Sequence, residues 1–120
     1  MNIKKVVVVK GTIQNFFAKA EKNLTANIKK DRSVVYVEDI LTLKQVLSEE
    51  RMRVLRTIHH TQPHSVYKLA KILGRDRKSV ITDLTFLENA GFVELEHKKG
   101  MRRTVQPKAG YDQIHISIEI

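Results

Sequence analysis

Two short amphipathic segments separated by one glycine constrain the fold of this chain more than any other feature. Apolar residues recur at helical spacing within residues 66–73 and again within residues 80–87. Gly74 lies between the segments, and glycine readily adopts the left-handed conformation that ends a helix. The pattern therefore predicts two helices joined by a tight turn, which is the helix-turn-helix arrangement.

Short polar residues mark the expected helix starts. Ser48, Ser65 and Asp76 each precede a periodic apolar run, and Ser and Asp favour the N-cap position because their side chains accept backbone hydrogen bonds. Gly91 follows the last run and predicts its end. The sequence thus predicts three helices within residues 48–91.

Alternating segments follow the third predicted helix. Residues 92–96 and 103–105 alternate around a basic tip at residues 98–100, which predicts a β-hairpin. Isoleucine then occupies every second position from Ile114 to Ile120, and this strict alternation predicts a half-buried strand.

The N-terminal part has a different pattern. Residues 6–9 and 34–37 are rich in β-branched residues and predict two strands. Residues 13–28 have helical periodicity and predict a helix between these strands. A short amphipathic helix is expected within residues 40–47.

Together these elements predict an α+β protein with a winged helix-turn-helix, which has a three-helix core and a β-hairpin wing. Residues 48–120 would form the DNA-binding domain with the C-terminal strand. Residues 1–47 would form a strand-helix-strand extension for dimerisation or partner binding. The strands at 6–9, 34–37 and 114–120 could form one small sheet, its apolar face covered by the extension's helix or by a second copy of the chain.

The charge of the chain favours a polyanionic partner. The formal net charge is +9, and residues 51–103 contain 12 Lys and Arg against 5 Asp and Glu. Such an excess attracts nucleic acid, although a merely soluble basic protein would have the same composition. Most of the excess coincides with the predicted helix-turn-helix and hairpin.

Basic and hydrogen-bonding residues lie where such a domain meets DNA. The second helix of the pair enters the major groove with its N-terminal residues nearest the bases, and a basic hairpin tip reaches phosphates or the minor groove. Either group alone could be an ordinary solvated surface, but their order along the chain favours DNA binding. The predicted DNA-binding residues are Arg75, Arg77, Lys78, Ser79 and Thr82, and in the hairpin Lys98, Lys99, Arg102 and Arg103.

Other chemistry has little support in the sequence. His60 and His64 have the spacing of helical metal ligands, but Pro63 between them argues against a continuous helix. Asp83 and Glu88 are expected on a solvated helix face. The chain lacks cysteine and a glycine-rich phosphate loop. We therefore expect no enzymatic activity, no metal and no cofactor.

The apolar N-terminal run is too short for a membrane segment. It stops at Val9 and is followed by Lys10, whereas a signal peptide or a membrane span needs a longer apolar stretch. The expectation is a cytoplasmic protein without a membrane partner.

Three stretches of the chain resemble a known family. They begin at Val34, Ser65 and Gly110 and read VVYVEDILTLKQVLSEERMRVLRTI, SVYKLAKILGRDRKSVITDLTFLENAGFVEL and GYDQIHISIEI. In these stretches the chain resembles the MarR-like winged-helix family of predicted prokaryotic DNA-binding transcriptional regulators. The resemblance implies DNA binding, no enzymatic activity and often a dimer. Some members of the family resemble the antitoxin halves of toxin–antitoxin gene pairs.

The chain departs from the family pattern along the predicted recognition helix. The family often has Asn, then His or Arg, then Arg, where this chain has Ser79, Ile81 and Thr82. The resemblance therefore implies a smaller set of base-reading side chains. Specificity would depend more on Arg75, Arg77 and the wing.

These observations predict a sequence-specific double-stranded DNA-binding transcriptional regulator. As a homodimer on a pseudo-palindromic operator, it would place two recognition helices about 34 Å apart. The alternative is an antitoxin that autoregulates its operon and binds a toxin protein through residues 1–47. A third interpretation is a winged helix used only for protein contacts, in which the face formed by Arg75, Arg77 and Lys78 would be dispensable for nucleic-acid binding.

Overall fold

The chain folds into an α+β structure, as the sequence predicts. A computed structural model describes residues 4–9, 33–100, 104–118 and 120. The helix predicted within residues 13–28 lies outside the described residues, as do Arg102 and Arg103. The described elements are β1 (Lys4–Val9), β2 (Val34–Val37), α1 (Ile40–Val46), α2 (Glu49–Thr61), α3 (Val66–Leu73), α4 (Arg77–Ala90), β3 (Glu94–Lys98), β4 (Thr104–Lys108) and β5 (Gln113–Ile118).

The chain forms two compact units that differ from the predicted division at residue 47. The first unit combines Met1–Gln45 with Asp112–Ile120, and the second is Val46–Tyr111. The C-terminal strand, which the sequence analysis placed in the second part, thus lies in the first unit. It does so because β5 pairs with β1 along its whole length.

The first unit contains a three-stranded parallel sheet. The strand order is β2-β1-β5, which confirms that the three predicted strands form one sheet. Val7 lies beside both Val35 and Ile116 in the register. One face of β1 and β2 is buried through Val7, Val9, Val35 and Val37. These four valines account for the β-branched runs seen in the sequence.

β5 is more exposed than the predicted half-buried strand. Ile114 is partly buried, whereas Ile116 and Ile118 are each 54% exposed. Position at the end of the sheet does not explain this difference, because β2 lies at the other end and its Val35 and Val37 are buried. The apolar face is covered over β2 and β1 but open over β5. Alternation alone correctly predicted the strand, but it does not show how far the cover over a sheet extends.

Helices α2, α3 and α4 form the core of the second unit. Ser48 Oγ accepts a hydrogen bond from the Arg51 amide at 3.3 Å, and Ser65 Oγ accepts one from the Lys68 amide at 3.1 Å. Both predicted N-caps are therefore confirmed. Asp76 is the N-cap of α4, but its side chain makes no capping hydrogen bond. The buried helix residues are Val54, Leu55, Ile58, Val66, Leu69, Ala70, Leu73, Val80, Asp83, Leu84 and Leu87.

Two glycines end helices as predicted. Gly74 has a φ of 66° and Gly91 a φ of 92°, which is the left-handed region that glycine enters without steric cost. After Gly74, the Arg75 amide donates to the Ala70 carbonyl at 3.1 Å. The tight turn between α3 and α4 is thereby closed, and α4 begins only two residues after Arg75.

The predicted hairpin consists of β3 and β4, which pair antiparallel from Glu94 opposite Lys108 to Lys98 opposite Thr104. Phe92 and Val93, which precede β3, are buried. Among the described residues, no helix has the length and apolar character needed to cross a bilayer.

Tyr111, the last residue of the second unit, is hydrogen-bonded to the core of that unit. Its phenolic oxygen donates a hydrogen bond to the Phe92 carbonyl at 2.8 Å. Burial raises the pKa of the Tyr111 phenol above its ordinary value of 10.0, since a phenolate loses solvation in this position.

We expect Tyr111→Phe to lower the free energy of unfolding by about 1 kcal/mol near neutral pH, because the Phe92 carbonyl loses its donor. The pH dependence has a defined sign. Because the pKa of Tyr111 is higher in the folded than in the unfolded protein, the neutral phenol stabilises the folded state at pH values below the unfolded pKa. This contribution to stability is lost as the pH rises above 10. Urea unfolding at neutral pH and at about pH 11 tests both points. Equal stability of the two proteins at neutral pH would contradict the hydrogen-bond contribution.

Candidate nucleic-acid interface

Four of the predicted DNA-binding residues lie on the exposed side of α4. Arg77, Lys78 and Ser79 are its first three residues, and all are exposed. Thr82 is exposed one turn later, and its hydroxyl donates to the Lys78 carbonyl at 3.0 Å. Val80, between these positions, is fully buried. The helix therefore packs on the core with one side while its first two turns present two cations and two hydroxyls to solvent.

The electrostatics at the start of α4 favour an anion. A helix carries partial positive charge at its N-terminus, and the first turn of α4 contains no acidic residue. The side chains of Arg77 and Lys78 add two formal charges at the same place. The carboxylate of Asp76 is close in sequence but makes no hydrogen bond to the helix.

Arg75 has a different environment from Arg77 and Lys78. Its Nη1 lies 2.7 Å from Asp83 Oδ2 and 3.6 Å from Glu50 Oε2. Asp83 also accepts from Arg51, whose Nε lies 3.2 Å from Asp83 Oδ1. Asp83 thus joins α2, the turn after α3 and α4 in one ion-pair network. The guanidinium of Arg75 is engaged in holding α4, which leaves it less available to a ligand.

Asp83 is a buried anion, so its predicted place on a solvated face is wrong. It is 8% exposed and is the one buried charged residue among those the structure describes. A sequence signal was present, because position 83 falls on the same helical stripe as Val80, Leu84 and Leu87. An acidic residue on an apolar stripe requires a partner, and Arg51 and Arg75 provide two.

The hairpin presents a second basic group. Lys98 is the last residue of β3, and Lys99 follows it; both are exposed. Lys108 on β4 instead forms an ion pair with Glu96, and this hydrogen-bonded cation lowers the pKa of Glu96. Lys108 therefore has an acidic partner on the neighbouring strand.

A groove lies between α4 and the hairpin. It has a volume of about 460 Å³ and is lined from α4 by Arg77 and Ile81, from β3 by Leu95, and from β4 by Val105. Tyr67 at the start of α3 lines it as well. The start of α4 and the hairpin therefore border the same concave surface of the second unit.

The histidines do not assemble a metal site in the described part of the chain. His60 and His64 are both exposed, and α2 ends at Thr61, so the two do not share a helix. No group of three or more His, Cys, Asp or Glu side chains is placed to hold a metal ion within residues 4–9, 33–100, 104–118 and 120.

The sequence model of the HVO_A0114 family matches residues 46–116, which is more than half of the chain. The chain belongs to the HVO_A0114 family. The match begins at the first residue of the second unit and continues into β5. All nine predicted DNA-binding residues fall within the part of the chain that matches the HVO_A0114 family. No curated protein matches the chain in sequence.

Proposed function

We propose that Val46–Tyr111 is a winged helix-turn-helix domain and that the protein is a sequence-specific double-stranded DNA-binding transcriptional regulator. In this proposal α3 and α4 are the helix pair, α4 is the recognition helix, and the β3–β4 hairpin is the wing. The observation that carries the proposal is the start of α4, where Arg77, Lys78 and Ser79 are exposed and Arg77 lines the same groove as the hairpin.

The first two turns of α4 have the chemistry that a major groove requires. Arg77 offers a planar fork of donors suited to guanine, while Ser79 and Thr82 offer less selective hydrogen bonds. Lys78 is a compact charge suited to phosphate. Lys98 and Lys99 on the hairpin supply further phosphate or minor-groove contacts.

Within this proposal Arg75 and Asp83 position the recognition helix and do not read DNA. Both oxygens of Asp83 are paired with arginines from other parts of the unit. These contacts hold α4 in one orientation and position relative to α2. A displacement of about 1 Å is enough to break a bidentate contact to a base. The proposed interface therefore consists of Arg77, Lys78, Ser79 and Thr82 with the wing lysines.

Binding to duplex DNA from upstream of the protein's own gene tests the proposal. We expect Arg77→Ala/Lys78→Ala to bind this duplex roughly 10- to 100-fold more weakly than the wild type, because both a base contact and a phosphate contact are lost. The slope of log Kd against log salt should fall by about 2 if both side chains contact phosphate, and by about 1 if Arg77 contacts a base.

The matched control is Arg53→Ala/Arg56→Ala, which removes the same charge from exposed positions of α2. We expect this control to weaken binding to random-sequence and upstream duplexes equally, without loss of preference. The proposal is overturned if the wild type does not bind duplex DNA at about 100 mM salt, or if the two double variants behave alike on both duplexes.

A further inference from the structure

The apolar face of the parallel sheet continues onto β5, where it is open. Val35 and Val7 are buried, and Ile116 lies next to Val7 in the register but is 54% exposed. Val9 and Ile118 show the same contrast, because they are neighbours in the register and Val9 is buried while Ile118 is exposed. The monomer therefore exposes two large aliphatic side chains in line with a buried apolar face, and such surfaces mark sites of association.

The outer edge of β5 is a second feature that favours association. Among the strands that the structure describes, β5 is bonded only to β1 and lies at one end of the sheet. Monomeric proteins protect such strands with charges, prolines or bulges, because the outer N–H and C=O groups otherwise accept another strand. Gln113–Ile118, with the sequence QIHISI, contains no charged residue and no proline.

The lack of charge in β5 selects a second copy of the chain as its partner. Two molecules of net charge +9 repel one another over most of their surfaces, and a neutral strand avoids this repulsion locally. A nucleic acid or an acidic peptide would be attracted to lysine and arginine, which β5 lacks.

The sequence of β5 is self-complementary about its centre. Consider two β5 strands paired antiparallel about a two-fold axis that passes beside Ile116. Ile116 then lies opposite Ile116 of the second copy, and Ile114 lies opposite Ile118. His115 then lies opposite Ser117 on the other face. All three isoleucines of each strand meet isoleucines, so the apolar face is continuous across the axis.

We propose that two copies of this protein associate through β5, pairing antiparallel about Ile116 to form one six-stranded sheet. The interface sets the exposed isoleucines of the two copies side by side and completes the hydrogen bonds of both outer strands. Its formation requires no DNA and goes beyond the proposed function.

Sedimentation equilibrium without DNA tests the dimer. The wild type should have twice the 13.9 kDa mass of the chain at micromolar concentration. Ile116→Lys should raise the dimer dissociation constant roughly 10-fold or more, because it replaces the central pair of isoleucines by two like charges placed directly opposite each other. The matched control is Ile72→Lys at a similarly exposed position, 50%, on α3, which should leave the dimer intact.

A cysteine pair tests the register and does not depend on the lysine variant folding. The chain has no cysteine, so Ile116→Cys introduces a single thiol. Directly opposed residues of antiparallel strands have Cα atoms about 4.5–5.5 Å apart, within disulfide range. Mild oxidation should crosslink Ile116→Cys but not Ile72→Cys. A monomeric wild type, unchanged dimerisation of a folded Ile116→Lys, or no crosslink at position 116 overturns the proposal.

Discussion

Asp83→Ala is expected to lower the free energy of unfolding by about 2–4 kcal/mol, because it leaves two arginines without their shared carboxylate in a largely buried position. The Asp83 side chain is 11% exposed, and those of Arg51 and Arg75 are 17% and 23% exposed. Solvent can therefore replace the carboxylate only in part. The loss is a large share of the stability of a domain of this size, and urea or thermal unfolding measures it.

The effect of Asp83 can be separated from a general effect of charge on α4. Glu88→Ala removes the same charge from an exposed position of the helix and should change stability by less than about 0.5 kcal/mol. In a double-mutant cycle, Asp83→Ala and Arg75→Ala should be non-additive by at least about 0.5 kcal/mol. Additive losses would mean that the 2.7 Å ion pair does not hold α4.

Phe92→Ala is expected to have the largest effect on the second unit, a loss of about 3–5 kcal/mol. Phe92 is 1% exposed and is the largest of the fully buried side chains among the residues that the structure describes. Its amide donates to the Leu87 carbonyl at 2.8 Å, and its carbonyl accepts from Tyr111. Truncation therefore opens a cavity at the junction between α4 and the hairpin, where the backbone is anchored on both sides.

The control for this prediction is Phe92→Leu, which retains most of the apolar volume and should cost clearly less than the alanine variant. Both variants keep the main-chain hydrogen bonds of residue 92, so the difference between their free energies of unfolding measures the cost of the cavity. Guanidinium unfolding followed by circular dichroism gives the two values. A Phe92→Ala loss below about 1 kcal/mol would show that the hairpin is held to the helices by other contacts.

The sequence alone determined the elements of this protein, because caps and glycine conformations are local properties. Ser48 and Ser65 begin α2 and α3 through hydrogen bonds to residues three positions away. Gly74 and Gly91 end helices because they adopt positive φ. The exposure of Lys78 follows from the helical period, which places Val80 on the opposite side of α4.

Contacts between distant residues were decided only by the tertiary structure. The partners of Asp83 are 32 and 8 positions away, so its stripe position indicated burial but not the identity of those partners. Arg75 is as basic in sequence as Arg77, and only the tertiary structure shows that its guanidinium is paired with Asp83. Likewise, the alternation of β5 predicted a strand but not that its neighbour would be β1, more than 100 positions earlier. Periodicity records which side of an element is apolar, whereas the chain segments that cover it, and how far they reach, depend on packing between elements.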